Sequence, residues 1–223
     1  MEQPDSEAEN IPSVQLSASE PVADWGIIAT VGAVSGGIAK IRLNIFSKIV
    51  FGIVFAALLL VALVVLVAGL SSFANNLLGL IGFIVILVLA LLFGASFLLA
   101  VNRVAELGDA AGKKLKLGLV AKQSGKASFS MLVFLPFYAL SNLPTYAFAP
   151  YIIVDTLQGP FSALSESRKL SKLNNNRNKT LKVDIASSII PLGSLGQQAG
   201  EIAVAGLYLA AKETSIVQTV RST

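Results

Sequence analysis

The dominant pattern in this chain is a pair of long apolar stretches without a charged residue, residues 49–70 and 77–101. Each exceeds the roughly 20 residues that a helix needs to cross about 30 Å of hydrocarbon. The period-2 alternation typical of a membrane β-strand is missing. Between the stretches lie four polar residues that favour a turn outside the hydrocarbon: Ser71, Ser72, Asn75 and Asn76. The sequence therefore predicts a transmembrane helical hairpin.

Composition supports a membrane environment and excludes several kinds of chemistry. Only 13% of the 223 residues are charged and 54% are hydrophobic, whereas soluble domains carry about 25% charged residues. Cysteine and histidine are both absent, which excludes disulfides, thiolate nucleophiles and Cys or His metal sites. We therefore predict an all-α, polytopic helical integral membrane protein with amphipathic interfacial helices and no cofactor.

Basic residues flank the hairpin at both of its outer ends. Lys40, Arg42 and Lys48 precede the first stretch, and six more follow the second: Arg103, Lys113, Lys114, Lys116, Lys122 and Lys126. The positive-inside rule then predicts that both outer ends are cytoplasmic and that the turn is outside. We expect a multi-pass protein of a prokaryotic plasma membrane, with a cytoplasmic N-terminus if residues 22–39 do not span.

Two basic segments predict helices that lie on the inner leaflet, at about residues 103–122 and 160–173. In the first segment, apolar residues recur every three or four positions and the lysines lie mostly off that stripe. The expected partner is a bilayer with anionic headgroups, not nucleic acid, because the basic residues flank apolar segments. The side chains expected to contact headgroups are Lys113, Lys114, Lys116, Arg168, Lys169 and Lys172.

The remaining chain is divided by composition into a tail and one membrane domain. Residues 1–20 carry acidic residues but no Lys or Arg and predict a disordered tail, and residues 21–223 predict a single helical membrane domain. Residues 22–39 fit either a packed or interfacial helix or a true span. Residues 181–211 fit two short helices or one broken span. Two GxxxG pairs predict helix packing: Gly32 with Gly36, and Gly196 with Gly200.

Residues 129–154 are again uncharged but contain Pro136, Pro144 and Pro150. One straight helix is not expected, because an internal proline loses a hydrogen bond and clashes with the preceding turn. A single crossing would place the following basic block outside the membrane. The favoured prediction is a bent or re-entrant segment with both ends cytoplasmic.

The stretch that follows this proline-bearing segment resembles a known membrane family. An acidic residue, a glycine and an Ala-Leu-x-x-Ser-x-x-Leu helix occur in order: Asp155, Gly159, Ala163, Leu164, Ser167 and Leu170. The pattern, over about residues 130–175, is similar to the multi-pass family that includes the membrane domain of some glycerophosphodiester phosphodiesterases and its stand-alone relatives. The resemblance implies a helical membrane domain and does not imply an activity, because the phosphodiesterase chemistry belongs to a separate soluble domain.

Catalysis is not predicted. Without histidine, acid–base chemistry needs paired carboxylates, and Asp155 and Glu166 are expected to pair with Arg168 and Lys169 instead. The sequence favours a non-catalytic scaffold, assembly subunit or lipid-organising element, with other membrane subunits or a second copy as further partners. The alternative is a transporter or channel component with a broken-helix site at residues 136–150.

Overall fold

The computed structural model describes residues 27–41, 44–72, 76–189 and 194–222, so the predicted acidic tail lies outside the described residues. The described part of the chain is helical and contains no strand, which confirms the all-α prediction. The helices are α1 Ile27–Lys40, α2 Ile45–Ser72, α3 Leu77–Ala110, α4 Leu117–Phe134, α5 Ala149–Thr156, α6 Pro160–Lys172, α7 Asn176–Ile189 and α8 Ser194–Ser222, with 3₁₀ helices at Leu135–Asn142 and Leu173–Asn175.

Helices α2 and α3 form a hairpin in which phenylalanine rings pack over glycines. The ring of Phe83 occupies the space beside Gly69, and the ring of Phe55 occupies the space beside Gly94. A Cβ at either glycine would meet the ring, so these two positions set how closely the helices approach. Asn76 starts α3, because its side chain accepts a hydrogen bond from the Gly79 N–H at 3.1 Å.

Both helices of the hairpin are long and apolar enough to cross a membrane. Their most apolar windows have mean hydropathies of 3.3 and 3.0, and no residue of either window is buried. Leu60, Leu78 and Ile86 are 65%, 82% and 69% exposed. A core helix of a soluble protein would bury such a window, whereas these helices direct apolar side chains outward.

The second helix of the hairpin continues into the rest of the protein. Its 34 residues span about 51 Å, and the part beyond Val101 carries charged residues. The prediction of one interfacial helix over residues 103–122 is wrong. Residues 103–110 form the end of α3, and a non-helical connection separates them from α4. Gly112 has a φ of +67°, and the Lys113 N–H donates to the Gly108 carbonyl at 2.8 Å. This Schellman arrangement ends the helix.

The other helices pack with the end of α3 into a helical body. Helix α1 has 14 residues, about 21 Å in length, and it packs against α7 and α8 with Val34 fully buried. The described part of residues 22–39 therefore forms a packed helix. The largest buried side chains of the body include Phe134, Tyr151, Ile152 and Tyr208.

Residues 129–154 are broken where the prolines predict. Helix α4 ends at Phe134, a 3₁₀ helix follows, and Leu143 adopts an extended conformation before Pro144, as the proline ring requires. Helix α5 then begins with Pro150 in its first turn and buries residues 149–154 in the body. Whether this segment re-enters a membrane stays a prediction.

The last two helices are longer than the interrupted apolar pattern of residues 181–211 suggests. Helix α7 begins at Asn176, and α8 extends to Ser222. The asparagine run separates α6 from α7, because Asn174 and Asn175 have positive φ values of 47° and 59°. Asparagine tolerates this left-handed conformation better than most residues. α6 itself covers all but one residue of the basic segment 160–173.

The glycine that packs α1 is not one of the GxxxG pair. Gly32 and Gly36 are exposed, and a Cβ at either would meet nothing within 4 Å. At Gly37 a Cβ would lie 2.6 Å from the carbonyl oxygen of Ala199 in α8. Close approach of α1 and α8 therefore depends on Gly37.

The second GxxxG pair lies in α8, and both of its glycines are buried. At Gly200 a Cβ would lie 2.7 Å from the Cβ of Ser187 in α7. Gly200 therefore lets α7 and α8 approach closely, while Gly196 is buried one turn earlier.

We expect Gly37→Ala to destabilise the body by about 1–3 kcal/mol, because its methyl group must push the α8 backbone away. Gly36→Ala is the matched control on the same helix. It should be neutral or stabilise by up to about 1 kcal/mol through helix propensity. Thermal unfolding followed by circular dichroism in detergent measures both, and equal shifts for the two variants would contradict the role of Gly37.

Candidate functional site

The end of α3 presents three charged side chains on one face of the helix. Arg103, Glu106 and Asp109 are three residues apart, a spacing that aligns side chains on a helix. All three are buried, with exposures of 7%, 2% and 0%. From α2, the Lys48 amine lies 3.9 Å from both Glu106 Oε1 and Asp109 Oδ2. Burial of so many charges requires partners from the surrounding helices.

The Arg103 guanidinium provides the centre of this cluster. Its Nη1 donates to Glu106 Oε2 at 2.6 Å and to the Tyr151 hydroxyl at 3.0 Å. Its Nη2 donates to the Tyr138 hydroxyl at 2.7 Å and to Glu201 Oε1 at 3.1 Å. These partners come from α3, α5, the first 3₁₀ helix and α8, so a single side chain joins four elements of the body.

Tyr151 strengthens the same cluster with its ring and its hydroxyl. The guanidinium carbon of Arg103 lies 5.3 Å from the centre of the Tyr151 ring, within the range of a cation–π contact. The hydroxyl oxygen lies 3.1 Å from Glu106 Oε2 and 3.0 Å from the Glu201 carbonyl oxygen, and it can donate to one of them at a time. Burial, together with the Glu106 charge, raises the pKa of Tyr151, so this phenol stays neutral.

The Glu201 side chain is 42% exposed, whereas those of Arg103 and Glu106 are 9% and 2% exposed. Burial of its carboxylate raises the pKa of Glu201, but the Arg103 charge and hydrogen bonds outweigh that effect and lower the pKa below its ordinary value of 4.5. Glu201 is therefore ionised at neutral pH and can contact both Arg103 and solvent.

A second set of hydrogen bonds fastens the start of α2 to the end of α3. The Asn44 backbone N–H and side-chain amide donate to Asp109 Oδ1 at 3.0 and 2.9 Å. The same amide donates to the Lys113 carbonyl at 2.9 Å, and its oxygen accepts from the Leu115 N–H at 2.7 Å. Because Asn44 is 1% exposed, these bonds hold the base of the hairpin rigidly on the body.

A cavity of about 230 Å³ lies next to the Arg103 cluster. Its walls come from the broken segment, α5, α7 and α8, and its polar lining includes Arg103, Tyr138, Asn142, Thr180, Asp184 and Glu201. Two residues of the lining, Arg103 and Thr180, each contain a buried polar atom without a hydrogen-bond partner among the described residues, Nε and Oγ1, and neither atom has surface that a molecule in the cavity could reach. The polar character of the cavity comes from the side chains of its lining.

Some of residues 136–150, where the sequence analysis offers a broken-helix site as an alternative, form one wall of this cavity. Tyr138, Asn142, Pro144 and Pro150 all contribute to the wall. No group of three or more His, Cys, Asp or Glu side chains in the described ranges could hold a metal ion. The arrangement can therefore hold and orient a polar molecule through hydrogen bonds and charge.

Asp155 belongs to a neighbouring polar contact and not to the pairing expected from the sequence. Its Oδ2 accepts from the Tyr208 hydroxyl at 2.6 Å and from the Lys212 amine at 2.7 Å. The expected pairing with Arg168 or Lys169 is wrong, because both lie on the exposed face of α6 while Asp155 contacts α8. Burial and the Asp155 charge raise the pKa of Tyr208, which keeps its hydroxyl a donor.

The remaining residues that carry the family resemblance pack α6 against the body. Gly159 precedes the helix and its carbonyl accepts from the Ala163 N–H at 3.0 Å. The Ser167 hydroxyl donates to the Thr145 carbonyl at 3.2 Å. Ala163, Ser167 and Leu170 are buried, so their role in this structure is packing.

The side chains expected to contact headgroups lie in two places. Lys114 and Lys116 are exposed in the connection between α3 and α4, beside the Asn44 contacts at the hairpin base. Lys113 is partly buried there. The other three are exposed on α6: Arg168, Lys169 and Lys172.

The sequence analysis missed five site residues: Asn44, Arg103, Glu106, Asp109 and Glu201. A signal was available in the Arg-x-x-Glu-x-x-Asp spacing that directly follows the apolar stretch, because it places three charges on one helix face. For Asn44 we find no comparable signal, since its partners are more than 60 residues away.

Comparison with protein-family models, with curated proteins and with solved structures gave no match.

We expect Glu201→Gln to lower the thermal unfolding midpoint at pH 7, because the amide keeps an acceptor for Arg103 but loses the charge. The pKa of Glu201 is depressed, so this stabilisation is present above its ordinary value of 4.5 and is lost as the pH falls through the lower folded value. The difference in unfolding midpoint between wild type and variant should therefore shrink as the pH of the measurement is lowered from 7 to 3.5. A difference that grows toward low pH would contradict the assignment.

Proposed function

We propose that the protein is an integral membrane protein anchored by the α2–α3 hairpin, with its helical body at the cytoplasmic face of a prokaryotic plasma membrane. It acts there as a non-catalytic scaffold, assembly subunit or lipid-organising element. The observation that carries the anchor is the exposure of apolar side chains along both helices of the hairpin. Water would be a costly environment for that much apolar surface.

Lipid is the best solvent for the hairpin for three reasons. The apolar surface surrounds both helices and does not form the single stripe that a partner helix would cover. Each helix is long enough to cross the hydrocarbon. Polar Asn76 marks the tip, while Lys40, Lys114 and Lys116 lie near the base, which agrees with the positive-inside rule.

The paired charges of the body support a role without catalysis. The Arg103 guanidinium forms ion pairs with the carboxylates of Glu106 and Glu201. Ion pairs of this kind hold helices together. Exposed Arg168, Lys169 and Lys172 offer contacts to anionic headgroups. The exposed face of α1 with Gly32 and Gly36 offers a surface to another membrane subunit or a second copy. The family resemblance implies the same helical membrane domain.

A transporter or channel component is the second candidate, because the broken segment at residues 136–150 lines a polar cavity. Two candidate spans alone cannot enclose a polar path through a bilayer. Transport would therefore require several copies or another subunit. Solute uptake into proteoliposomes that contain only this chain would favour transport over scaffolding.

We expect the hairpin tip and the body to lie on opposite sides of the membrane. The chain has no native cysteine, so single substitutions Asn76→Cys at the tip and Ser165→Cys on exposed α6 report each side. An impermeant thiol reagent added to intact cells should label the tip, and the α6 position should label only after lysis.

Ser124→Cys provides the control, since Ser124 is fully buried in α4 and should label only after denaturation. Equal labelling of tip and body in intact cells would contradict a spanning hairpin. Labelling of the α6 position alone would retain the anchor but reverse the orientation.

A further inference from the structure

We propose that the end of α4 inserts shallowly into the inner leaflet of the bilayer, so that the body itself contacts lipid beside the α2–α3 hairpin. The occupant of this surface is the boundary between anionic headgroups and acyl chains. The inference rests on the proposed anchoring of the hairpin and adds to it a second lipid contact, made by a helix of the body.

One side of α4 changes from basic to apolar along its length. Five exposed residues recur there at intervals of three or four, a spacing that places them on one side of a helix: Leu119, Lys122, Lys126, Phe129 and Val133. We call these residues the α4 stripe. Its apolar end consists of Phe129 and Val133, which are 70% and 39% exposed. The opposite side of α4 is buried in the body from its first turn to its last.

Helix α4 runs back along α3 toward the apolar part of the hairpin. The two helices pack against each other, and only residues 111–116 connect them. Neighbouring helices joined by so short a connection are antiparallel. The buried residues of α3 accordingly reach back from Asp109 to Ser96, which lies within the apolar stretch. The start of α4 is therefore at the base of the hairpin, and its end lies beside the apolar part of α3.

The change from charged to uncharged residues occurs at the same height on both helices. Lys126, the last charged residue of α4, lies about 14 Å from the start of that helix. Val101, the last residue of the uncharged stretch of α3, lies about 14 Å from the end of α3. Phe129 is then level with Leu98. A span of about 30 Å that starts at Leu77 ends close to Leu98, so Phe129 lies at the inner boundary of the hydrocarbon.

The apolar end of the α4 stripe belongs to a wider apolar patch. Val133 lies one turn beyond Phe129, and Phe137 follows after another four residues, in the first 3₁₀ helix. The centre of the Phe137 ring lies 5.5 Å from that of Phe161 on α6, and Phe161 is 66% exposed. Grouped apolar side chains of this kind mark an interaction surface. Helix α5 does not contribute, because its residues 149–154 are buried in the body.

Charge and position identify the bilayer as the occupant of this patch. Helix α4 carries Lys122 and Lys126 and no acidic residue, and the exposed side of α6 that starts with Phe161 continues with Arg168 and Lys172. Long basic side chains can lay their apolar stems beside acyl chains and hold their charges among the phosphates. Because the patch lies at the height where the apolar surface of the hairpin begins, one bilayer covers both surfaces.

The test measures the depth of single tryptophans in the purified full chain. The chain has one native tryptophan, Trp25, and Trp25→Phe removes it. Three exposed positions then receive a tryptophan in separate variants: Phe129→Trp at the apolar end of the stripe, Leu119→Trp at its basic end and Leu60→Trp in the hairpin. Each variant is reconstituted into vesicles of phosphatidylcholine and phosphatidylglycerol. The acyl chains carry bromine, a contact quencher of tryptophan, either near the headgroup or near the chain end.

Phe129→Trp should lose about half of its fluorescence in lipid brominated near the headgroup, because an inserted helix side reaches only about 5–10 Å into the boundary between headgroups and acyl chains. Bromine near the chain end should quench it less. Leu119→Trp is the matched control, since it lies on the same stripe but about 15 Å from Phe129 along the helix, and it should keep its fluorescence in both lipids. Leu60→Trp, near the middle of α2, should be quenched most by bromine near the chain end.

The outcomes separate this inference from the anchor. Quenching of Leu60→Trp without quenching of Phe129→Trp would overturn the insertion of α4 and leave the anchor intact. A blue-shifted emission of unquenched Phe129→Trp would then identify a second copy of the chain as the cover of the patch. Equal quenching of Leu119→Trp and Phe129→Trp would also overturn the proposal, because α4 would lie flat on the bilayer. Absence of quenching in all three variants would contradict the hairpin anchor as well.

Discussion

The structure depends on how one buried guanidinium is satisfied. Removing an arginine charge from water costs several kcal/mol even after the protein relaxes, so Arg103 is tolerated only because two carboxylates and two phenols surround it. Those groups come from four separate elements. Helix α8, α5 and the first 3₁₀ helix must therefore converge on the end of α3. The break at residues 135–148 brings Tyr138 and Tyr151 to the two terminal nitrogens of the same side chain.

The same constraint connects the apolar hairpin to the body. Helix α3 is continuous from Leu77 to Ala110, so a displacement of its apolar part is transmitted to Arg103 without a hinge between them. At the other end of the hairpin, Asn44 directly precedes α2 and donates two hydrogen bonds to Asp109. With both ends of the hairpin held by buried hydrogen bonds, the hairpin and the body have one defined orientation and do not behave as domains on a linker.

The sequence predicts those features that local chemistry determines and misses those that need distant residues to meet. Uninterrupted apolar residues were enough to predict α2 and most of α3, and prolines were enough to predict the break after Phe134. The continuation of α3 to Ala110 was missed because the Arg103–Asp109 charges look like the start of a surface segment until their partners are known. Arg103 and Glu201 are 98 residues apart, and nothing in either neighbourhood indicates the other. Gly37 was missed for the same reason, since its contact with Ala199 depends on tertiary packing alone.

The cavity lies beside the paired charges of α3. The four hydrogen bonds of Arg103 engage only its two terminal nitrogens, which leaves Nε without a partner among the described residues. The combination of a charged centre, a proline-broken wall and an exposed carboxylate on α8 keeps the site open and polar. Four residues that hold the helices of the body together therefore also line the cavity: Arg103, Tyr138, Tyr151 and Glu201.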